Sequence, residues 1–146
     1  MFNSFNISAS GMTAQRKRMD VISNNIANID TTRTEEGGAY RRKMPVFEQR
    51  GSESTPFKTV LNKKLGNDQE SGVQISAVVE DQSPFKMIYN PSHPDANGEG
   101  YVAMPNVDIT SEMVDMIDAS RAYEANVTAL NTFKNMAMKA LQIGQR

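Results

Sequence analysis

Residues 5–30 read FNISASGMTAQRKRMDVISNNIANID, and residues 109–143 read ITSEMVDMIDASRAYEANVTALNTFKNMAMKALQI. In both stretches apolar residues recur in alternating steps of three and four, which places them along one side of an α-helix. This spacing is typical of a coiled-coil contact. Two such helices at opposite ends of a 146-residue chain favour a structural building block over an enzyme.

The two apolar seams follow directly from these steps. The first consists of Phe5, Ser8, Met12, Gln15, Met19, Ile22, Ile26 and Ile29. The second consists of Ile109, Met113, Met116, Ser120, Tyr123, Val127, Leu130, Lys134, Ala137 and Leu141. We predict helices over residues 4–28 and from residue 106 or 108 to 143, with Gly144 as the stop of the second. The second helix would be about 53 Å long, so part of it needs a partner outside a small domain core.

Composition excludes several classes of protein. The 16 basic and 17 acidic residues nearly cancel, which leaves no electrostatic footprint for nucleic acid or an anionic membrane. The absence of cysteine rules out a disulfide framework and a thiolate zinc site. No apolar run is long enough to span a bilayer, and the N-terminus lacks the apolar core of a signal peptide. We therefore expect a cytoplasmic protein, or one that leaves the cell without a cleaved signal.

The middle of the chain has a different character. Residues 33–105 are polar and rich in turn formers, and residues 51–72 are expected to form a mobile loop. Four short segments are predicted to be extended, namely residues 40–48, 73–79, 85–89 and 101–104. Pro45 gives the first of these the character of an edge strand.

These elements predict an α+β fold. Two long terminal α-helices pack as a coiled-coil-like pair, with a small β-rich central domain between them. We divide the chain into an N-terminal helix at residues 1–32, a central domain at 33–105 and a C-terminal helix at 106–146.

Candidate chemistry is sparse. His93 is the single histidine and sits in a turn between Pro91 and Pro94, so it cannot build a zinc site, and no nucleophile motif accompanies it. We expect no catalytic residue, cofactor or metal. Glu112, Asp115 and Asp118 lie in the early turns of the second helix, where the helix dipole favours negative charge.

Two polar clusters remain as contact candidates. Asn24, Asn25 and Asn28 crowd one end of the first helix, which suggests amides that bond to other chains or to a buried junction, with fraying as the alternative. The basic run at residues 41–43 is interpreted as a solvated strand face or an inter-subunit salt contact.

Several sequence segments are specific enough to indicate a protein family. ISASGMTAQ at residues 7–15 and MDVISNNIAN at residues 19–28 resemble the N-terminal signature of the bacterial flagellar rod and hook proteins. Other segments resemble the basal-body rod members of that group. They are GAYRRK at 38–43, EDQSPFK at 80–86, NPSHPDAN at 90–97, MPNV at 104–107, EMVDMI at 112–117, SRAYEANV at 120–127 and KALQIG at 139–144. One small departure is the pair Ile29 and Asp30, where the family more often has a small residue followed by Asn.

The resemblance implies a subunit of the proximal rod that stacks helically with copies of itself and other rod proteins. It also implies passage through the flagellar type III export apparatus without a cleaved signal peptide, and hence a position in the periplasm. Family members place both terminal helices in an inner tube, with the β-rich domain outside. The subunit would line the export channel and transmit torque without chemistry.

On this reading, the assembly interface consists of the seam and asparagine residues. They are Phe5, Met12, Met19, Ile22, Asn24, Asn25, Ile26, Asn28, Ile29, Met113, Met116, Tyr123, Val127, Leu130 and Leu141. The alternatives are another axial rod or hook component, and a coiled-coil adaptor or export chaperone. An enzyme would need a convergent polar pocket, which the sequence does not supply.

Overall fold

The computed structural model describes residues 2–35, 37–50 and 72–143. Along the chain lie α1 (Phe2–Ala27), β1 (Lys43–Gln49), β2 (Val73–Glu80), β3 (Lys86–Tyr89), β4 (Tyr101–Met104) and α2 (Ile109–Ile143). The predicted α+β class, with two terminal helices and short strands between them, is confirmed. Gly144 and all of the predicted loop except Gly72 lie outside the described residues.

The two helices pack against each other in an antiparallel pair. The rings of Phe5 and Phe133 meet edge to face, with their centroids 6.3 Å apart. At the other end of α1, the amide of Asn25 donates to the carboxylate of Glu112. Because α2 continues for several turns beyond Phe133, its C-terminal end carries exposed apolar residues, including Leu141.

α2 begins with a side-chain cap. The Asp108 carboxylate accepts hydrogen bonds from the Ser111 hydroxyl (2.8 Å) and the Ser111 backbone N–H (3.1 Å). This is the geometry of an N-cap residue and its third helical position. The same hydrogen bonds hold the pKa of Asp108 below its ordinary value, because they favour the ionised carboxylate.

The strands form two separate antiparallel hairpins. β1 pairs with β2, and the register shifts between Val46 and Phe47, which lie opposite Ala77 and Ile75. β3 pairs with β4 without a shift. Within the ranges that the structure describes, every strand is therefore an edge strand, which is where the ring of Pro45 is tolerated in β1.

α1 is the central element of the fold. It contacts α2 on one side and both strands of the β1–β2 hairpin on another. Of the helices and strands, only α1 packs against α2 in the part of the chain that the structure describes. Among the described residues, much of the surface of α2 therefore has no helix or strand packed on it.

The described core is small and partly polar. Its buried apolar residues are Ala14, Ile22, Ala39, Val102, Val107 and Ala119. Ser8, Ser10, Asn25 and Glu112 are buried with them. Since four polar side chains share this interior, hydrogen bonding as well as apolar packing must define how the elements meet.

Gly72 provides a test of the contact between α1 and the start of β2. The Ser10 hydroxyl donates to the carbonyl of Ile7 (2.7 Å) and accepts from the backbone N–H of Val73 (3.1 Å). A methyl group on Gly72 would overlap Ser10 Oγ and lie 2.9 Å from Ser10 Cβ. We expect Gly72→Ala to lower the free energy of unfolding by about 1–3 kcal/mol, as overpacking does elsewhere.

The matched control is Gly98→Ala, because a methyl group there meets no atom within 4 Å. It is expected to change the free energy of unfolding by less than about 0.5 kcal/mol. Urea unfolding followed by circular dichroism measures both variants. Equal midpoints for the two would show that Gly72 does not make the close approach.

Candidate assembly surface

A buried asparagine organises the end of α1. Asn25 is 1% exposed. Its Nδ2 donates to the Lys43 carbonyl (2.8 Å) and to Glu112 Oε2 (3.0 Å). Its Oδ1 accepts from the Lys43 backbone N–H (2.9 Å) and the Tyr40 hydroxyl (3.0 Å). All four hydrogen-bonding positions of the amide are filled, which explains why an asparagine is needed here.

Glu112, in the first turn of α2, is fully buried and forms an ion pair with the Arg42 guanidinium. Arg42 also donates to Asp115 Oδ2 (3.2 Å), and Arg18 donates to Asp115 Oδ1 (2.6 Å). Burial acts to lower the pKa of Arg42, but the hydrogen bond and charge of Glu112, aided by Asp115, outweigh it and raise that pKa. The guanidinium therefore stays charged beside the buried carboxylate.

Tyr40 completes this cluster as a neutral donor. Burial raises the pKa of Tyr40 above its ordinary value, and the negative charges of Glu112 and Glu80 raise it further. The phenol therefore keeps its proton, and its hydroxyl donates a hydrogen bond to Asn25 Oδ1. We refer to Asn25, Tyr40, Arg42 and Glu112 as the polar junction.

The polar junction is tied to both hairpins through backbone groups. The Arg42 backbone N–H donates to Asn106 Oδ1 (2.8 Å), and Asn106 Nδ2 donates to the Asp81 carbonyl (3.1 Å). The Lys86 ammonium donates to the carbonyl of Val107 (3.0 Å). The start of β1, the end of β2, the start of β3 and the entry to α2 therefore meet at one place.

Sequence reasoning missed the chemistry of this junction. It placed Glu112 on a helix dipole and Arg42 on a solvated face or between subunits. Glu112 does lie in the first turn of α2, whereas the interpretation of Arg42 is wrong, since Arg42 pairs with Glu112 inside one chain. Nothing local in the sequence brings these two positions together, although the Asn25 prediction had allowed for a buried junction.

The predicted interface residues near α1 differ in exposure. Ile22 and Asn25 are buried, whereas Asn24 is exposed and donates to the carbonyl of Asp20 (2.9 Å). The remaining residues are half-buried: Phe5, Met12, Met19, Ile26, Asn28 and Ile29. The residues available to a neighbour are therefore a subset of the predicted set.

The predicted interface residues of α2 lie beside the contact with α1. Met113 and Leu141 are exposed, and Met116, Tyr123, Val127 and Leu130 are half-buried. The buried residues of this helix are Glu112 and Ala119, each one position before a seam residue. One residue corresponds to about 100° around a helix. The face packed on α1 thus includes the half-buried residues of the seam, whereas Met113 lies outside it.

An apolar surface remains open at the start of α2. We call Ile109, Met113, Val114 and Ile117 the α2 surface, and all four side chains are between 47% and 55% exposed. Three of them recur every four residues, so they form a stripe along the helix. Because large exposed apolar patches mark interaction sites in proteins, this stripe is a candidate contact surface.

The β3–β4 hairpin is also apolar and open. Met87, Ile88 and Tyr89 are consecutive and all at least half exposed. Since successive strand residues point to opposite faces, both faces of β3 are exposed at these positions, although Val102 of the paired strand β4 is buried. The ring of Tyr89 packs edge to face against Tyr101 with centroids 5.3 Å apart.

The described residues were also compared with what a catalytic histidine, a metal site or a membrane-spanning helix requires. His93 Nδ1 accepts the backbone N–H of Asp95 (3.1 Å), a local turn contact. Across residues 2–35, 37–50 and 72–143, no three metal-ligating side chains are grouped to hold an ion. Neither helix, within those same ranges, has the length and apolarity needed to cross a membrane.

Comparison with known proteins gives consistent matches. Residues 5–33 match the profile described as flagella basal body rod protein. Residues 99–143 match the profile of the flagellar basal body rod FlgEFG protein C-terminal region. The flagellar basal-body rod protein FlgC of Bacillus subtilis is 49% identical over 99% of this chain and 98% of its own length. The FlgC proteins of Borreliella burgdorferi and Salmonella typhimurium are 46% and 39% identical, with the same coverage of both chains.

Proposed function

Because this chain belongs to the FlgC family of flagellar basal-body rod proteins, we propose that it builds the proximal rod by packing its terminal helices against those of neighbouring subunits. It is a structural subunit of the basal-body rod and assembles with other rod proteins. We propose the contacts that it makes in that assembly and its position in the proximal part of the rod.

The observation that carries the proposal is the α2 surface. Burying apolar side chains contributes roughly 25 cal/mol per Å² removed from water, so half-exposed Met113 and Ile117 leave stabilisation unused in the free subunit. A helix from a neighbouring subunit fits this stripe, because residues spaced by four pack against another helix. The exposed C-terminal end of α2 offers a second contact of the same kind.

We further propose the division of labour among the parts of the chain. Residues 1–32 and 106–146 would line the central channel, and residues 33–105 would lie outside it. Torque would pass through helix packing and the polar junction, with no bond made or broken. The subunit would reach the periplasm through the flagellar type III export apparatus without a cleaved signal peptide.

The experiment that tests this function is electron cryotomography of basal bodies from cells that lack the gene. We expect the membrane ring and export gate to remain and the rod to be absent, with non-motile cells. Expression of the chain from a plasmid is the control and should restore rods and swimming. Complete rods in swimming deletion cells would overturn the assignment and favour the coiled-coil adaptor.

A further inference from the structure

α2 has two faces that compete for α1. One is the α2 surface, with Ile109, Met113 and Ile117. The other is the face that packs on α1, with Glu112 and Ala119. Burial of apolar area alone favours the α2 surface, since all of its side chains are apolar. The structure nevertheless packs the more polar face against α1.

We infer that the polar junction is a selector that chooses which face of α2 packs on α1. Asn25 and Arg42 both bond to the Glu112 carboxylate. Rotating α2 by one residue would remove Glu112 and leave a buried amide and a guanidinium without that partner. An unsatisfied buried polar group is costly, and a separated buried ion pair more so. This penalty opposes the free energy that would be gained by burying the α2 surface against α1.

A second contact on the same face supports the inference. Gly11 of α1 faces Asn126 of α2, and a methyl group on Gly11 would lie 3.0 Å from Asn126 Oδ1. The asparagine is held by its own hydrogen bond to the Ala122 carbonyl (2.8 Å). Because Gly11 has no side chain, Asn126 fits against α1 when α2 packs with its observed face. Polar residues specify the pairing of helices in coiled coils in a comparable way.

The selector keeps the α2 surface out of the intramolecular contact. Met113 and Ile117 stay exposed because Glu112 occupies the position next to α1. That these residues then serve a neighbouring subunit rests on the proposed function. The selection of the face does not, and it can be measured on the isolated protein.

The chain contains no cysteine, so single thiols report on each face. Met113→Cys places a thiol on the exposed side, and Ala119→Cys places one in the contact with α1. In the otherwise unchanged protein, we expect Ala119→Cys to react with a maleimide at least about 100-fold more slowly, because a buried thiol reacts only after local opening.

Glu112→Leu removes the selector. We expect this change to slow labelling of Met113→Cys at least about threefold and to speed labelling of Ala119→Cys at least about tenfold, as the helix turns. If Glu112→Leu only loosened the packing of α2, Ala119→Cys would be labelled faster and Met113→Cys would not be labelled more slowly. Slower labelling of Met113→Cys is therefore the decisive result. Glu124→Leu, which replaces an exposed glutamate of the same helix, is the control and should leave both rates unchanged.

If Glu112→Leu alone does not fold, the same labelling rates are measured in the triple variant Asn25→Leu, Arg42→Met and Glu112→Leu. In the triple variant no buried charge is left without a partner. An unchanged Met113→Cys rate in a folded variant overturns the inference. Loss of structure in both variants also overturns it, because the junction would then stabilise the fold without choosing a face.

Discussion

Arg42→Met is expected to lower the free energy of unfolding by about 3–5 kcal/mol, the usual effect of removing one partner from a buried ion pair. Methionine keeps most of the apolar stem of arginine and removes the charge. Glu112 has no solvent exposure, so its carboxylate would lose its cation while remaining inside the protein. Asp115 would be affected less, because it retains Arg18 as a partner. Urea unfolding at neutral pH measures the change.

Arg16→Met is the matched control, because Arg16 lies on the exposed side of α1. It should alter the free energy of unfolding by less than about 0.5 kcal/mol. Arg42→Lys should lower the free energy of unfolding by an amount between those of Arg42→Met and Arg16→Met. An ammonium supplies the charge but cannot reproduce the forked hydrogen bonds to Glu112 and Asp115. A loss below about 1 kcal/mol in Arg42→Met would contradict a buried pair that stabilises the fold.

The regular elements could be predicted because their signals are local. The helix predicted over residues 4–28 is observed at Phe2–Ala27, and the strand predicted over residues 101–104 is β4. Helical periodicity, alternation of apolar residues and helix-capping residues each act within a few positions of the chain. The two terminal helices and the short strands between them therefore followed from the sequence.

The polar junction could not be predicted for the opposite reason. Arg42 and Glu112 are far apart in the chain, and each alone has the sequence character of a surface residue. Only the antiparallel packing of α1 and α2 brings them to Asn25. The same packing decides which face of α2 is covered, and it buries Glu112 and Ala119, which lie outside the predicted seam.

Exposure also determines which substitutions can test assembly. A charge at Ile22, which the seam suggests as a test, would enter a side chain that is 4% exposed. Such a change would unfold the subunit and say nothing about its neighbours. Residues of the α2 surface avoid this problem, because solvent already reaches them in the free subunit.

Replacing Met113 and Ile117 together by glutamate is therefore expected to abolish swimming while the subunit stays folded. Both side chains are about half exposed, so we expect less than about 1 kcal/mol of change in the free energy of unfolding. Once covered by a neighbour, two unpaired carboxylates would each cost several kcal/mol. Soft-agar motility measures the effect, and circular dichroism of the purified variant verifies the fold.

The control keeps the same positions apolar, with Met113→Leu and Ile117→Leu combined. Exchange between apolar side chains of similar volume is tolerated in packed contacts, so these cells should swim. Rods should be present in the leucine variant and absent in the glutamate variant, since the free subunits differ little in stability. Normal swimming of the glutamate variant would show that the α2 surface faces solvent in the assembled rod, and would move the proposed contact to another part of the subunit.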